Sequence, residues 1–348
     1  MICYFGRKNF LFASIVGLIS AVILLLIPWE SLRGEAFWDL EVYRQNFLSG
    51  LPLLERHHID SAWAFFINEG VWDVFIRWLL ADIGLPVETV FSTITLLMLF
   101  VFSRFIFIRH GVLGVLLIVN PLVIDLAFSQ LRMAFALSLF IIAIELKKVS
   151  TKWVLLILST FVHTALILFV GIFFLCSYFT KSSKFRSFFN NSPLLFSVII
   201  ACCVTLTIGP LRDIILGFLG DRRINYQAES SSILYASFWF FYGIVFVASI
   251  KKKIIFDTSI LMAVIWVFVF LLSTLLGIYG IRFLSASFPF IVSAMLVFAG
   301  IGVKKADNFK ISPGDIVLEI FKVRFVFSWM LISFFVIYSF FQWDYWIL

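Results

Sequence analysis

Four segments of an otherwise apolar chain carry side chains that could hold an anion or move a proton. Arg132 stands in Ser129-Gln130-Leu131-Arg132-Met133-Ala134 and His163 in Phe161-Val162-His163-Thr164-Ala165-Leu166, Arg222 and Arg223 precede Asn225-Tyr226, and Arg282 follows Tyr279-Gly280-Ile281. An arginine at the centre of a membrane helix costs roughly 2.5–3.5 kcal/mol, so such a residue reads as functional, although a lone one can snorkel to the interface. A guanidinium is a planar, permanently charged fork that suits phosphate or carboxylate oxygens. An imidazole titrates near neutrality and can take a proton from a hydroxyl. Carboxylates come from an earlier stretch, residues 28–84, which holds Asp39, Glu41, Glu69 and Asp73. Glu69, Asp73 and Arg77 recur every four residues and so share one face of an amphipathic segment over 62–82. That face is either the solvated stripe of an interfacial helix or a set of carboxylates presented to a cavity.

The elements that position these residues must be membrane helices. Of 348 residues, 62% are hydrophobic and 14% charged, with 45 Phe and 11 Trp and a mean hydropathy of +1.08. A soluble domain is about half apolar and a quarter charged, so this composition excludes one and predicts a polytopic all-α membrane protein. A span takes roughly 20 apolar residues, and the apolar runs predict about ten, near 9–27, 86–108, 111–128, 130–146, 153–178, 193–219, 232–250, 256–277, 281–302 and 322–342, forming a single membrane domain over 1–348. The stretch 28–84 then forms an outer-face loop plus an amphipathic helix. Residues 111–146 carry Asn120, Pro121, Asp125, Gln130 and Arg132 near their middle and predict two short helices meeting at a break near 120–132. Residues 153–178 are flanked by Lys147, Lys148 and Lys152 on one side and Lys181, Lys184 and Arg186 on the other. Both flanks ask for the cytosol, so the segment is expected to enter and return, breaking near 160–165 at His163-Thr164.

With that topology and a cytoplasmic N-terminus, the inner segments hold 13 Lys and 5 Arg and the outer ones 9 Arg and no Lys. The positive-inside bias explains the totals but not why the outer basic residues are all arginine, which points to recognition of an anion. The net charge of +7 therefore orients the protein and does not signal nucleic acid. Cys3, Cys176, Cys202 and Cys203 lack any metal-ligand or paired spacing, so neither a disulfide framework nor a metal centre is expected. P-loop, GxGxxG, HExxH and GxSxG patterns are missing, which removes the nucleotide-driven and familiar hydrolase chemistries. His57-His58 beside Asp60 reads as a loop, and Asn190-Asn191-Ser192, on the inner side, as a chance glycosylation match.

Several of these residues together resemble a known pattern. Gln130-Leu131-Arg132-Met133-Ala134 followed by His163-Thr164-Ala165-Leu166-Ile167 is similar to the paired Arg and His motifs of EpsG-like, Wzy-type polysaccharide polymerases. Asp39 and Tyr43 resemble that family's first-loop Asp-plus-Tyr, Asn68-Glu69-Gly70 its acidic-Gly segment, Arg223 and Tyr226 its basic-aromatic outer loop, and Arg282-Phe283-Leu284 a late helix start. The sequence departs from the pattern in the order of Gln130 and Arg132 and in having no proline between Glu69 and Gly70. The resemblance covers roughly residues 36–290. It implies a GT-C-like glycosyltransferase in the bacterial inner membrane that joins polyprenyl-pyrophosphate-linked oligosaccharides at the periplasmic face. It also implies no cofactor, with a flippase and a chain-length regulator as companions. In that reading His163 is the first candidate for the base and Glu69 the second, while Arg132, Arg223 and Arg282, with Arg222 behind them, face the pyrophosphates. Asp39 orients the acceptor sugar, the Trp and Tyr residues of the first loop offer flat faces for sugar rings, and Tyr226 joins Arg223 among the substrate-binding residues.

Three other activities use similar parts. A metal-dependent multi-span glycosyltransferase would hold its cation on Asp39 or Glu41. A flippase for the same lipid-linked sugar would need arginines and aromatics but also two related halves, which the sequence lacks. A membrane O-acyltransferase would use an intramembrane histidine.

Overall fold

A computed structural model describes residues 10–34, 36–48, 61–182, 193–219, 233–250, 257–278 and 280–298. All regular structure among them is helical. In chain order the elements are α1 (Phe10–Leu26), α2 (Trp29–Arg33), α3 (Trp38–Leu48), α4 (Ala62–Ile67), α5 (Gly70–Arg77, continued by a π turn over Trp78–Asp82), α6 (Val87–His110), α7 (Val112–Leu116), α8 (Pro121–Phe128), α9 (Leu131–Glu145), α10 (Val149–Val162), α11 (Leu166–Lys181), α12 (Pro193–Ile208), α13 (Arg212–Leu219), α14 (Ile233–Ala248), α15 (Thr258–Leu275) and α16 (Ile281–Phe298). Three of these, α6, α15 and α16, are long and apolar enough to cross a membrane, or up to five if the bent pairs α8–α9 and α12–α13 each count as one span. That is fewer than the ten apolar runs. Some runs fold into helices too short for the test: α1 has 17 residues, about 25 Å at 1.5 Å per residue against a hydrocarbon core of about 30 Å. The run 322–342 lies outside the described residues.

Both expected breaks are present. Asn120 caps α8 by accepting the Leu122 amide at 2.9 Å, Pro121 occupies its first turn, and α8 meets α9 at 105°. Across the corner Gln130 Nε2 donates to Asp125 Oδ2 at 3.1 Å, while Asn120 Nδ2 is buried with no partner among the described residues. Residues 111–128 are accordingly not one helix, since α7 and α8 are separated at 117–120. At the second break His163 is extended, with φ −147° and ψ 113°, and α11 starts three residues later. Trp153, early in α10, stacks on Phe174, late in α11, at 4.8 Å. The chain therefore reverses at His163-Thr164, and the lysine-bearing ends of both helices lie together.

Two polar layers mark opposite ends of the bundle. At the lysine end Glu145 joins Arg104 at 2.6 Å and Arg109 at 2.9 Å, His110 meets Ser293 at 2.8 Å, and Thr180 meets Thr258 at 3.0 Å. The other end holds the site. Between them runs an aromatic core in which Phe169 stacks on Trp266 at 4.1 Å and Trp266 on Phe283 at 5.5 Å, with Phe140 edge-on to Phe169 and Phe290. Such packing, with interhelical hydrogen bonds, is what holds helices together where lipid removes the hydrophobic drive. Facing outward, α1 exposes Phe10, Leu11, Ile15, Leu18, Ile19, Ile23 and Leu26, an apolar surface suited to hydrocarbon.

Candidate functional site

Glu69 is the centre of the site. The segment 62–82 is not the single amphipathic helix expected: α4 ends at Ile67, and the chain breaks at Asn68-Glu69 before α5. Asn68 closes α4 by donating Nδ2 to the Ala64 carbonyl at 2.8 Å. Glu69 has φ 63° and ψ 33°, the only non-glycine residue with positive φ among those described. A side chain in this left-handed conformation costs about 1 kcal/mol, and such strain persists where the surroundings impose it. Gly70 beside it leaves room for the Phe65 ring, which a Cβ there would overlap. Glu69 occupies the N-cap position of α5 but makes no cap with its side chain. The carboxylate turns away to other helices. The rest of the expected stripe is not solvated either, since Asp73 is buried and accepts from Arg77 Nε at 2.9 Å.

Glu69 is 3% exposed and bridges two sequence-distant partners. Oε2 accepts from Arg132 Nη1 and Oε1 pairs with His163 Nδ1, while Thr164 Oγ1 approaches Oε1 at 3.5 Å. Arg132 sits in the first turn of α9, just past the 105° corner, and His163 at the hairpin tip. Aromatic contacts lock the three segments together: Phe66 packs on Phe161 at 4.5 Å, and Phe75 stacks on Phe135, one turn beyond Arg132, at 5.6 Å. The side chains of Arg132 and His163 remain 24% and 18% exposed. The carboxylate is thus deep and the two groups it holds reach outward. If Nδ1 donates to the carboxylate, the neutral imidazole carries its lone pair on Nε2.

Tyr43, on α3, completes the hold on Arg132: its hydroxyl accepts from Nε at 3.0 Å. Nη2 is left without a partner among the described residues. Burial pushes the Tyr43 hydroxyl above its ordinary range, with Arg132 opposing the shift and Asp39 adding to it. One turn before Tyr43, Asp39 Oδ2 accepts from Arg282 Nη2 at 3.2 Å, bringing the first turn of α16 to the same place. Phe283, stacked on Trp266, fixes that turn against α11 through Phe169.

Glu69, Arg132, His163, Asp39 and Arg282, five residues singled out in the sequence, therefore come together from five separate elements. Arg222, Arg223 and Tyr226 lie outside the described residues, as do His57, His58 and Asp60. Thr164 and the part Tyr43 plays as acceptor for Arg132 were not anticipated; the nearest signals were the adjacency of Thr164 to His163 and the Asp39-to-Tyr43 spacing of one helical turn. Among the described residues no group of three or more His, Cys, Asp or Glu could hold a metal ion. No protein-family model, curated protein or solved structure matches the chain.

Chemically, the unit is a histidine oriented by a buried carboxylate beside a guanidinium whose Nε and Nη1 are engaged. The carboxylate fixes the tautomer and stabilises an imidazolium if one forms. The guanidinium offers fixed positive charge where a leaving anion would develop.

Proposed function

We propose that this protein is a metal-independent glycosyltransferase of the Wzy polymerase type. It transfers a glycan chain from polyprenyl pyrophosphate onto a sugar hydroxyl of another lipid-linked repeat unit, at the outer face of a bacterial inner membrane. The observation that carries the reading is Glu69, held in a strained backbone conformation while it joins Arg132 to His163.

In the reaction His163 Nε2 removes the proton of the acceptor hydroxyl as that oxygen forms a bond to the anomeric carbon of the donor. The bond from that carbon to the bridging phosphate oxygen breaks, and the electron pair leaves with the lipid pyrophosphate. Positive charge gathers on His163 and is met by Glu69; negative charge gathers on the pyrophosphate and is met by Arg132 Nη2 and Arg282. Both interactions strengthen toward the transition state, which is the condition for catalysis. Glu69, buried behind His163, acts as a positioning residue and not as an alternative base. Arg222, Arg223 and Tyr226 belong to the same pyrophosphate and sugar face in this reading. The proposal includes about ten spans in a GT-C-like arrangement, a cytoplasmic N-terminus and the lysine layer on the cytosolic side.

Reconstitution of the purified protein in proteoliposomes with a lipid-linked repeat unit tests the activity. Wild type is expected to yield a ladder of chain lengths and to release lipid pyrophosphate, and His163→Ala neither. Consumption of the substrate by His163→Ala at the wild-type rate would remove the histidine from the mechanism.

A further inference from the structure

Before any ligand enters, the described part of the site is balanced in charge: Glu69 and Asp39 oppose Arg132 and Arg282. A diphosphate brings two or more further negative charges and competes with the two carboxylates for the same guanidiniums. The two are held very differently. Glu69 is 3% exposed and pinned by Arg132, His163 and Thr164, and moving it would strand donors that have little access to water. Asp39 reaches Arg282 through one oxygen at 3.2 Å, and the two side chains are 27% and 49% exposed. Exposed pairs of this kind are weak and exchange readily with solvent or another anion.

We infer that Asp39 is a resident competitor: its carboxylate occupies Arg282 in the empty site and is displaced when a diphosphate oxygen takes the guanidinium. The inference rests on the proposed diphosphate ligand, and it replaces the acceptor-sugar role that the family resemblance implied for Asp39. Competition also confers selectivity. A singly charged anion gains little by exchanging with a carboxylate, whereas a diphosphate has oxygens enough to engage Arg282 and Arg132 Nη2 together. Asp39 lies close enough to Arg132 and Tyr43 for its charge to act on both, so its departure leaves the whole subsite more positive.

Titration of the purified full-length protein with inorganic pyrophosphate, followed by calorimetry, tests this. Asp39→Asn is expected to bind about two- to fivefold tighter than wild type, the gain from removing a weak, solvent-screened pair. Arg282→Ala is expected to bind more weakly, and adding Asp39→Asn to it should give a clearly smaller gain than in wild type, since the aspartate acts mainly through the arginine. Equal or weaker binding by Asp39→Asn overturns the inference, as does a gain that is as large without Arg282 as with it, or a lack of pyrophosphate binding by every form. A protein that shows the expected binding but makes no ladder in proteoliposomes would keep the competitor and lose the polymerase reading; the reverse pattern would do the opposite.

Discussion

Replacing Glu69 by glutamine keeps the side chain's shape and removes its ability to accept at both ends. In the native site Oε2 accepts from Arg132 while Oε1 serves His163. A glutamine has one carbonyl oxygen and one amide nitrogen: with the nitrogen toward Arg132 an N–H faces an N–H, and with it toward His163 the imidazole must take its other tautomer, which puts the proton on Nε2 where the lone pair is needed. One charge-assisted hydrogen bond is lost, worth about 1.5–3 kcal/mol. At about 1.36 kcal/mol per factor of ten, the transfer rate falls by about 10- to 200-fold. The loss belongs in kcat and not in KM, because Glu69 sits behind the histidine and strengthens its hold only as the imidazole gains charge. The assay is the initial rate of consumption of lipid-linked repeat unit in proteoliposomes across substrate concentrations, with thermal unfolding of each preparation alongside. Glu69→Asp retains the charge but is one methylene too short to reach both partners and is expected to fall between. A Glu69→Gln protein with wild-type kcat refutes the reasoning. So does one whose lower yield of folded protein accounts for the whole loss.

Tyr43→Phe removes the acceptor for Arg132 Nε and is expected to slow transfer by about 2- to 13-fold, the equivalent of about 0.5–1.5 kcal/mol for one hydrogen bond with water able to replace it. The same variant reports on burial: the folded-state pKa of Tyr43 is raised, so its stability contribution is intact below the unfolded value of about 10 and is lost as the pH climbs toward the folded one. The difference spectrum between wild type and Tyr43→Phe should accordingly show no phenolate band at the pH where an ordinary tyrosine is half ionised. Gly70→Ala drives a methyl group into Phe65 and is expected to destabilise by about 1–3 kcal/mol, with part of the loss recovered when Phe65→Ala is added, as thermal unfolding would read. Arg104→Ala leaves Glu145 paired with Arg109 and should retain activity, whereas Glu145→Ala removes the carboxylate shared by two guanidiniums and should lower the melting temperature further.

Much of the site was legible because membrane chains carry few ionisable side chains in apolar runs. Arg132 and His163 stood out on cost alone, Asn120-Pro121 announced the corner, and lysines on both flanks of 153–178 required the reversal that Trp153 and Phe174 now display. The Glu69 break was hidden. A period of four through Glu69, Asp73 and Arg77 reads as continuous helix, and nothing about a glutamate signals a left-handed backbone; only the glycine after it hinted that the chain turns there. Tyr43 was legible as part of the Asp39 pattern, but in a chain with so many aromatic residues its hydroxyl could not be matched to one arginine without coordinates. Span boundaries were less legible for a related reason: apolar composition marks a run as lipid-compatible, while the corner at 129–130, the His163 break and the bend between α12 and α13 divide those runs in ways that hydropathy does not register.

Extension of a glycan on a lipid carrier is the work proposed for the Glu69, Arg132 and His163 unit. It is tested most directly by a gel of surface polysaccharide from producing cells with the gene deleted and then complemented with wild type, Arg132→Ala or His163→Ala at matched membrane levels. The expectation is that deletion removes the long-chain ladder while single repeat units still reach the surface, and that only wild type restores the ladder. Loss of the single unit from the surface with lipid-linked units accumulating inside, or a full ladder from either variant, would contradict it.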